Sequence, residues 1–430
     1  MALSTKALQR SCFELEVFVQ ERPVGVIELQ GDRYVFQYYP KVASGDFVSL
    51  LMPVRSRPYM AEQMGLLLPV FDMNLPEGSL RQTLERRFAK VVSGFNDLAL
   101  LALVGQNSIG RLGFGAPLNS KPPCLILESL VHAQDDDELL EQLYAKEAVF
   151  SGVAGMQPKA LASVKHVEIE KLSDADAPGQ DMKSTLRDEH LMIKAGTTRT
   201  PWIAANEFYC LRAAHHAGLQ VPQTRLLQGG QILLVDRFDR WHQSNNEVVF
   251  AGAEDVCALT GKVSALKYDG TYERIAKTLT NFVSLKEQPD NLAQFFQSLV
   301  LSCTVRNGDA HLKNFTLLYG SFQDEQDVSP SLSPVYDVCT TNVYLPADQM
   351  ALTLDGSKRY ANEKKLSEFG QRHCGMTKTQ VRDVFEKVRS GVEMAAKELT
   401  EYGALYPDFH ETVGTGMLKH WETGMAALQP

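Results

Sequence analysis

The run Leu299-Val300-Leu301-Ser302-Cys303-Thr304-Val305-Arg306-Asn307-Gly308-Asp309-Ala310-His311-Leu312-Lys313-Asn314-Phe315-Thr316-Leu317-Leu318-Tyr319 decides how the rest of the chain is read. Just before its polar part, Leu292, Phe295, Phe296, Leu299, Val300 and Cys303 recur at helical spacing, so a buried helix is predicted to lead into Asn307. Just after it, Phe315 to Tyr319 is short, apolar and aromatic, the pattern of a buried strand. The polar residues Asn307 to Asn314 are therefore caught between two core elements, where polar groups are costly unless they are bonded. A loop of that composition in that place is expected to be a site. Asp309 and Asn314 stand five residues apart. Kinase catalytic loops use that separation between the aspartate facing the acceptor hydroxyl and the asparagine holding a metal. Further on, Val335-Tyr336-Asp337-Val338 follows the Ser333-Pro334 turn and offers a second carboxylate, suited to Mg²⁺ on nucleotide phosphates. Taken singly, each of these residues reads as a turn former; the set points to chemistry.

Working upstream, Ser151-Gly152-Val153-Ala154-Gly155-Met156-Gln157-Pro158-Lys159 lies between two predicted strands, Glu147 to Phe150 and Ala160 to Lys165. Small residues let backbone N–H groups approach an anion, and Gln157 and Lys159 add donors and charge. No Gly-Lys-Ser/Thr follows, so this is not a Walker A loop, and alone it reads as a hairpin turn. His166 to Glu189 is polar and turn-rich, the composition of an exposed excursion. The predicted strand His190 to Lys194 ends on a lysine. Thr200-Pro201 is expected to open a helix that Gly218 closes, with Glu207 in its second turn. Kinases pair such a strand lysine with a helix glutamate to position the α- and β-phosphates. By itself the pair reads as a snorkelling lysine and a solvated glutamate. Gln231 to Val235, a further strand, runs into Asp236-Arg237-Phe238-Asp239-Arg240. That elbow suits a hinge between two lobes whose backbone meets an adenine, with Asp239 near the ribose; a merely charged strand end is the alternative. What joins these pieces is their order along the chain, which is the kinase order.

The 430 residues suit two or three domains, and 44% hydrophobic content supports a sizeable core. No apolar run is long enough to span a bilayer, and Met1 to Ser11 lacks the apolar region of a signal peptide. Seven scattered cysteines, never in a C-x-x-C pair, predict reduced thiols in a cytosol and no zinc site. A net charge of −9 argues against a broad nucleic-acid-binding face, though not against DNA contact through a basic partner. Up to about Leu130 the chain reads as a small α+β unit. Strands are predicted over Leu15 to Val19, Val24 to Leu29 and Tyr34 to Tyr39, with Gly31-Asp32 as a turn. Ser79 with Gln82 is expected to cap a helix over Leu80 to Val92, and Asp97 to cap Leu98 to Val104. No catalytic constellation is visible there, so a structural or partner-docking role is expected. The C-terminal part is predicted largely helical: Glu254 to Leu259, Tyr272 to Val283, and Thr377 with Gln380 capping Val381 to Leu399.

Together, Asn307-x-Asp309-x-His311-x-Lys313-Asn314, Val153 to Lys159, Val235 to Arg240, Glu254-Asp255-x-Cys257 and Pro334-x-Tyr336-Asp337 resemble the HipA family. Val17-Phe18-Val19 and Val24-Gly25-Val26 resemble that family's N-terminal subdomain, so the likeness spans nearly the whole chain. The resemblance implies an α+β fold with a bilobal, protein-kinase-like core and a mostly helical C-lobe. It implies three parts: residues 12–130 (structural or antitoxin-docking), 139–240 (N-lobe) and 241–430 (C-lobe). It implies a bacterial, cytoplasmic serine/threonine kinase toxin of a toxin–antitoxin pair, whose partner is a helix-turn-helix antitoxin dimer that carries it to operator DNA. Family targets are aminoacyl-tRNA synthetases, inactivated by phosphorylation, which arrests growth and promotes persistence. Residue by residue, it implies Asp309 as base, with His311 bracing the loop and Lys313 on the transferring phosphate. Asn314 and Asp337 become Mg²⁺ ligands. Gly152, Val153, Ala154, Gly155, Gln157, Lys159 and Lys194, with Glu207 behind the lysine, fall to ATP phosphates. Asp236 and Phe238 meet the adenine through their backbones, Asp239 sits near the ribose, and Tyr336 joins the nucleotide-binding set. Relatives carry a regulatory serine in the phosphate loop where this chain has Gly152, with Ser151 one residue earlier. Weak autoregulation is therefore expected, and stoichiometric phosphate on Ser151 would count against it. Two other function classes stay open: a non-enzymatic co-repressor module, and a small-molecule phosphotransferase sharing the fold.

Overall fold

The computed structural model describes residues 5–105, 108–117, 159–164, 189–197, 199–242, 248–320 and 329–428. After a short helix α1 (Thr5–Arg10), strands β1 (Glu14–Val19), β2 (Arg22–Gln30) and β3 (Arg33–Tyr38) form the expected antiparallel meander. Gly31 turns between the last two with φ +62°, a conformation that glycine takes without strain. With β4 (Tyr59–Met60) and β5 (Leu112–Phe114) they make a five-stranded sheet in the order β4-β3-β2-β1-β5. Helices α2 (Pro69–Asp72), α3 (Gly78–Phe88) and α4 (Asp97–Val104) follow β4. Two caps differ from expectation. Asn96, not Asp97, accepts the free N–H of Ala99, because the Asp97 carboxylate is turned to Arg81. Helix α3 starts at Gly78, with Glu77 rather than Ser79 in the N-cap position, its side chain directed to Lys267.

A four-stranded antiparallel sheet follows, in the order β6-β7-β9-β8: β6 (Lys159–Val164), β7 (Glu189–Ala195), β8 (Thr224–Leu227) and β9 (Ile232–Asp236). Alternation along its strands decides what each face meets. Leu191, Ile193, Ala195, Ile232 and Leu234 join one continuous apolar core with the N-terminal domain. Met192, Leu233 and Val235 pack instead with Ala204 and Phe208 of helix α5 (Ile203–His216). Lys194 shares the parity of Met192 and so faces α5. That helix opens from Trp202, held at φ +57°, rather than from the expected Thr200-Pro201 cap; Thr200 is spent on Thr197, their hydroxyls 2.9 Å apart.

A ribbon of β10 (Arg240–His242) and β11 (Val248–Phe250) leads to the C-terminal part, and β10 straddles the division expected at residue 240. Residues Glu254 and Asp255, expected to be helical, belong to β12 (Gly252–Asp255), since pairing with β13 (Thr316–Tyr319) overrides local propensity. Only α6 (Val256–Leu259) is helical there, capped by the Asp255 carboxylate on Ala258 N at 2.8 Å. Strand β14 (Ser331–Leu332) completes this three-stranded sheet. Helices α7 (Tyr272–Phe282), α8 (Gln288–Thr304), α9 (Glu363–His373), α10 (Lys378–Leu405) and α11 (Thr415–Ala426) supply the second large core. Thr377 and Gln380 form the expected capping box at the start of α10. Helix α8 delivers the chain to Asn307, and β13 carries it away, as predicted.

Candidate active site

The loop between α8 and β13 bonds largely to itself and to its supports. Asn307 N–H donates to Ser302 O at 2.8 Å, and the Asn307 side-chain oxygen accepts from Asp309 N at 3.2 Å. Gly308 N–H donates to Thr341 Oγ1 at 2.8 Å. A Cβ at Gly308 would lie 2.0 Å from Asp348 Oδ2, so this turn closes only around a glycine. Residues Leu312–Asn314 make one 3-10 turn, in which Asn314 Oδ1 accepts the His311 N–H at 3.2 Å. Asn307 and Asn314 thus do shape turns. The Asp309 carboxylate is used differently: it accepts a hydrogen bond from the Tyr268 hydroxyl at 2.7 Å and lines a cleft.

Three other elements converge on this loop. Lys194, at the end of β7, bonds Glu207 of α5 and reaches Asp337 Oδ1 at 2.8 Å. Burial alone would pull the Lys194 ammonium down, but Asp337 and Glu207 outweigh it and hold it above the ordinary lysine value. Asn314 Nδ2 lies 3.3 Å from Asp337 Oδ2. Asp337 itself sits at φ +58°, in the left-handed region that aspartate tolerates better than most residues and that gathers at functional sites. Asp337 offers the hard carboxylate oxygen that a Mg²⁺ ion takes alongside phosphate. Asn314 fits the expected metal only with its carboxamide turned over, since Nδ2 faces Asp337 and Oδ1 holds the His311 N–H.

Behind these groups an inner cavity is walled by Met192, Val235, Phe238, Thr316 and Tyr336, with Lys194 and Asp337 at one end. Phe238 and Tyr336 lie with ring centroids 5.3 Å apart, offering flat apolar surface for a base. Asp236 is at the cavity edge, its N–H donating to Gln223 O at 2.9 Å and its carboxylate 3.1 Å from Arg225. The cavity measures about 100 Å³, and Lys194 and Asp337, in contact with each other, are among its lining residues. On the other side of Asp337 and Asp309 an outer cleft of about 670 Å³ opens to the surface.

Two expected roles are corrected. Asp239 is not available to a ribose. Its carboxylate is buried, bonded to Arg237 and to the Gly110 N–H at 2.7 Å, and approached by Arg240 at 3.6 Å. Burial would raise its pKa, but the two guanidiniums hold it far below the usual carboxylate range. Lys313 borders the inner cavity, but its ammonium is held by other protein groups rather than left for a phosphate. It donates to Ser264 Oγ at 2.7 Å and Met73 O at 3.3 Å and is ion-paired with Glu77 Oε1 at 3.1 Å. His311 is buried, edge-on to Tyr268, and burial with the nearby Lys267 ammonium pushes its imidazole down to about 3. It is therefore neutral at ordinary pH. Lys159 begins β6 opposite Lys194 in register; Ser151, Gly152, Val153, Ala154, Gly155 and Gln157 lie outside the described residues.

Several residues at the site went unseen in the sequence. Glu77, Met73 and Asp72 come from the N-terminal domain, where no catalytic pattern is visible. Glu77 bonds Lys267 at 2.7 Å as well as Lys313, and Asp72 accepts the Ser264 N–H. Burial would raise the Glu77 carboxyl, yet Lys313 and Lys267 bring it below its ordinary value. Tyr268 had one faint signal, an aromatic residue just before the Asp269-Gly270 turn.

Comparison with known proteins agrees with this architecture. Residues 151–396 match the HipA-like C-terminal domain and residues 15–115 the HipA N-terminal domain. The chain belongs to the HipA family. Among curated relatives, two Sinorhizobium fredii proteins named as candidate kinases are similar. Y4dM is 27% identical over 322 residues, covering 71% of this chain and 69% of that protein. Y4mE is 28% identical over 312 residues, covering 69% of each. Among solved structures, HipA of Shewanella oneidensis, determined with HipB and operator DNA, superposes with a TM-score of 0.62 at 17% identity. That match covers 96% of this chain and 98% of the other. It shows that the α+β fold expected from the sequence is the HipA fold.

Proposed function

We propose that this chain is a protein kinase that moves the terminal phosphoryl group of Mg²⁺-bound ATP to a serine or threonine hydroxyl of another protein. The observation that carries the reading is the run of contacts Glu207–Lys194–Asp337–Asn314, drawn from four separate segments, with Asp309 lining the same outer cleft as Asp337. The acceptor oxygen would bond to phosphorus as the bond to the leaving diphosphate breaks, and Asp309 would take the hydroxyl proton. Lys194 would move from Asp337 onto the phosphates while Glu207 keeps it oriented. A Mg²⁺ ion held by Asn314 and Asp337 would supply positive charge to the phosphate oxygens. Phe238 and Tyr336 would hold the base. The names of the Sinorhizobium relatives support a kinase, and the Shewanella structure supports a helix-turn-helix-type antitoxin as partner, with operator DNA reached through it. The negative net charge agrees with leaving DNA to the partner. An aminoacyl-tRNA synthetase remains the proposed target, on the family resemblance, with arrest of translation as the consequence.

The test is incubation of the purified chain with radiolabelled Mg²⁺–ATP and a panel of aminoacyl-tRNA synthetases. One labelled synthetase is expected, and none with Asp309→Asn. Labelling that survives Asp309→Asn in a folded protein would remove the assigned base. Label passing to a metabolite and to no synthetase would make the chain a small-molecule phosphotransferase.

A further inference from the structure

The Asp309 carboxylate does not look straight out into the outer cleft. Tyr268 stands over it, its hydroxyl donating to Asp309 Oδ1 at 2.7 Å. The ring leans edge-on against His311, with centroids 5.2 Å apart, and the residue is 41% exposed. Burial, and then the Asp309 charge beside it, push the phenol well above its usual range, so it stays protonated and remains a donor. A hydroxyl donating to the base at this distance is what an acceptor must do before its proton can be taken. Tyr268 therefore stands where the acceptor's hydroxyl belongs.

The surroundings say what kind of acceptor fits. Besides Tyr268 the cleft is lined by apolar Ile203, Leu345, Ala347 and Met350, together with the charged Arg199, Asp348 and Lys358. Leu345 is 55% exposed, a large aliphatic side chain presented at the rim within reach of the base. A half-exposed leucine in the open costs little, but one lining a cleft whose floor is Asp309 is placed to read a neighbouring side chain. The opening of about 670 Å³ with an accessible rim suits a stretch of polypeptide.

We propose that the outer cleft is the acceptor site, taking a protein segment with an apolar side chain beside its serine or threonine, and that Tyr268 is a place-holder for the acceptor hydroxyl. This rests on the phosphotransfer reading above. Tyr268 is a positioning residue: its phenol keeps Asp309 oriented and shielded from water, and the incoming hydroxyl replaces it. No covalent bond changes in that exchange. Transfer then follows, with the acceptor oxygen bonding phosphorus, the diphosphate leaving and the proton passing to Asp309.

The test uses the full chain with radiolabelled Mg²⁺–ATP and two readouts: phosphate released to water, and label passed to a degenerate peptide library with a fixed central serine or threonine. Tyr268→Phe is expected to raise phosphate release about tenfold or more, the loss of one hydrogen bond to a charged group, with an unchanged thermal midpoint. A merely structural tyrosine would lower release or leave it unchanged, and either result overturns the place-holder role. Leu345→Asp is expected to raise KM for the library by about tenfold and to erase a preference for apolar residues beside the hydroxyl. Leu285→Asp, 86% exposed and outside the cleft, serves as the matched control and should behave as the parent chain. Library labelling by Leu345→Asp with the parent's KM and preference would show that the acceptor lies elsewhere. A parent chain that binds ATP yet neither releases phosphate nor labels any peptide would instead sink the phosphotransfer reading itself.

Discussion

Two neighbouring strands of the same sheet end in charged residues, and they come to opposite uses. Lys194 closes β7, and its partners Glu207 and Asp337 are brought to it by α5 and by the segment after β14. The Asp337 side chain keeps 21% of its surface open, so its contact with Lys194 is not sealed from the cleft. Strand β9 runs into Asp236-Arg237-Phe238-Asp239-Arg240, where the charges of Arg237, Asp239 and Arg240 are sealed. The side chains of Arg237, Asp239 and Arg240 are between 1% and 4% exposed. Ser108 O accepts from Arg237 at 2.8 Å and from Arg240 at 3.0 Å, and Gly110 N–H donates to Asp239. Gly110, at φ +81°, fits against Ala253, and a Cβ there would come within 3.1 Å of it. Both networks are charge-rich strand ends in the sequence. What separates them is whether one partner faces a cavity and can be exchanged, or whether a third segment has closed the set.

That difference can be broken or sharpened by substitution. The largest effect is expected from Asp309→Asn. Removing a positioned base should slow phosphoryl transfer by about 10³-fold, while the unfolding midpoint in urea stays close to the parent's. A variant losing stability and activity together would move Asp309 into the structural class. Next is Asp239→Ala, which strands two buried guanidiniums. About 3–5 kcal/mol of unfolding free energy should be lost, with activity per folded molecule retained, as read by urea titration and a transfer assay on the same sample. Loss of nucleotide affinity without loss of stability would restore the ribose role that the geometry withdraws.

Glu77→Gln should have a smaller effect, about 1–3 kcal/mol, because it leaves the Lys313 and Lys267 ammoniums with a weaker partner across the domain boundary. Proteolysis of the N-terminal domain should quicken in step. The smallest effect at neutral pH is that of His311, which shows itself only as a pH dependence. His311 is held at about 3 in the folded chain against an ordinary value of 6.5. Its folded pKa is lowered, so the unfolded chain takes up the proton first as pH falls. Its contribution to stability is whole above pH 6.5 and is lost progressively toward pH 3. The urea midpoint of His311→Gln should fall less steeply than the parent's across that window.

Much of the site was legible because its pieces sit on elements with strong local signals. The period of Leu292, Phe295, Phe296 and Leu299 placed α8, the aromatic run placed β13, and the loop between them had nowhere else to be. The β7 alternation puts Lys194 and Met192 on one face, which is the face α5 covers. Other features followed from contacts between distant segments. Among the described residues the six cysteines are free thiols, and no helix is long and apolar enough to cross a membrane. Both follow from composition. By contrast, Asp97 was expected to cap and does not, since Arg81 claims it. Glu254 was expected in a helix and lies in a strand, its carboxylate accepting from Ser49, Leu50 N and Tyr319.

The sequence alone determined which polar residues would be held between core elements, because hydrophobic period and turn chemistry act over a few residues. It therefore determined the α+β class and the candidacy of Lys194, Asp309, Asn314 and Asp337. Only the tertiary structure decided which charges stay exchangeable. Lys313 is turned to the N-terminal domain, Asp239 is locked between arginines, and Tyr268 stands over the base. Each outcome depends on partners up to 240 residues away, as with Lys313 and Met73. A side chain's availability is set by what packs over it, and that is fixed only when distant segments meet.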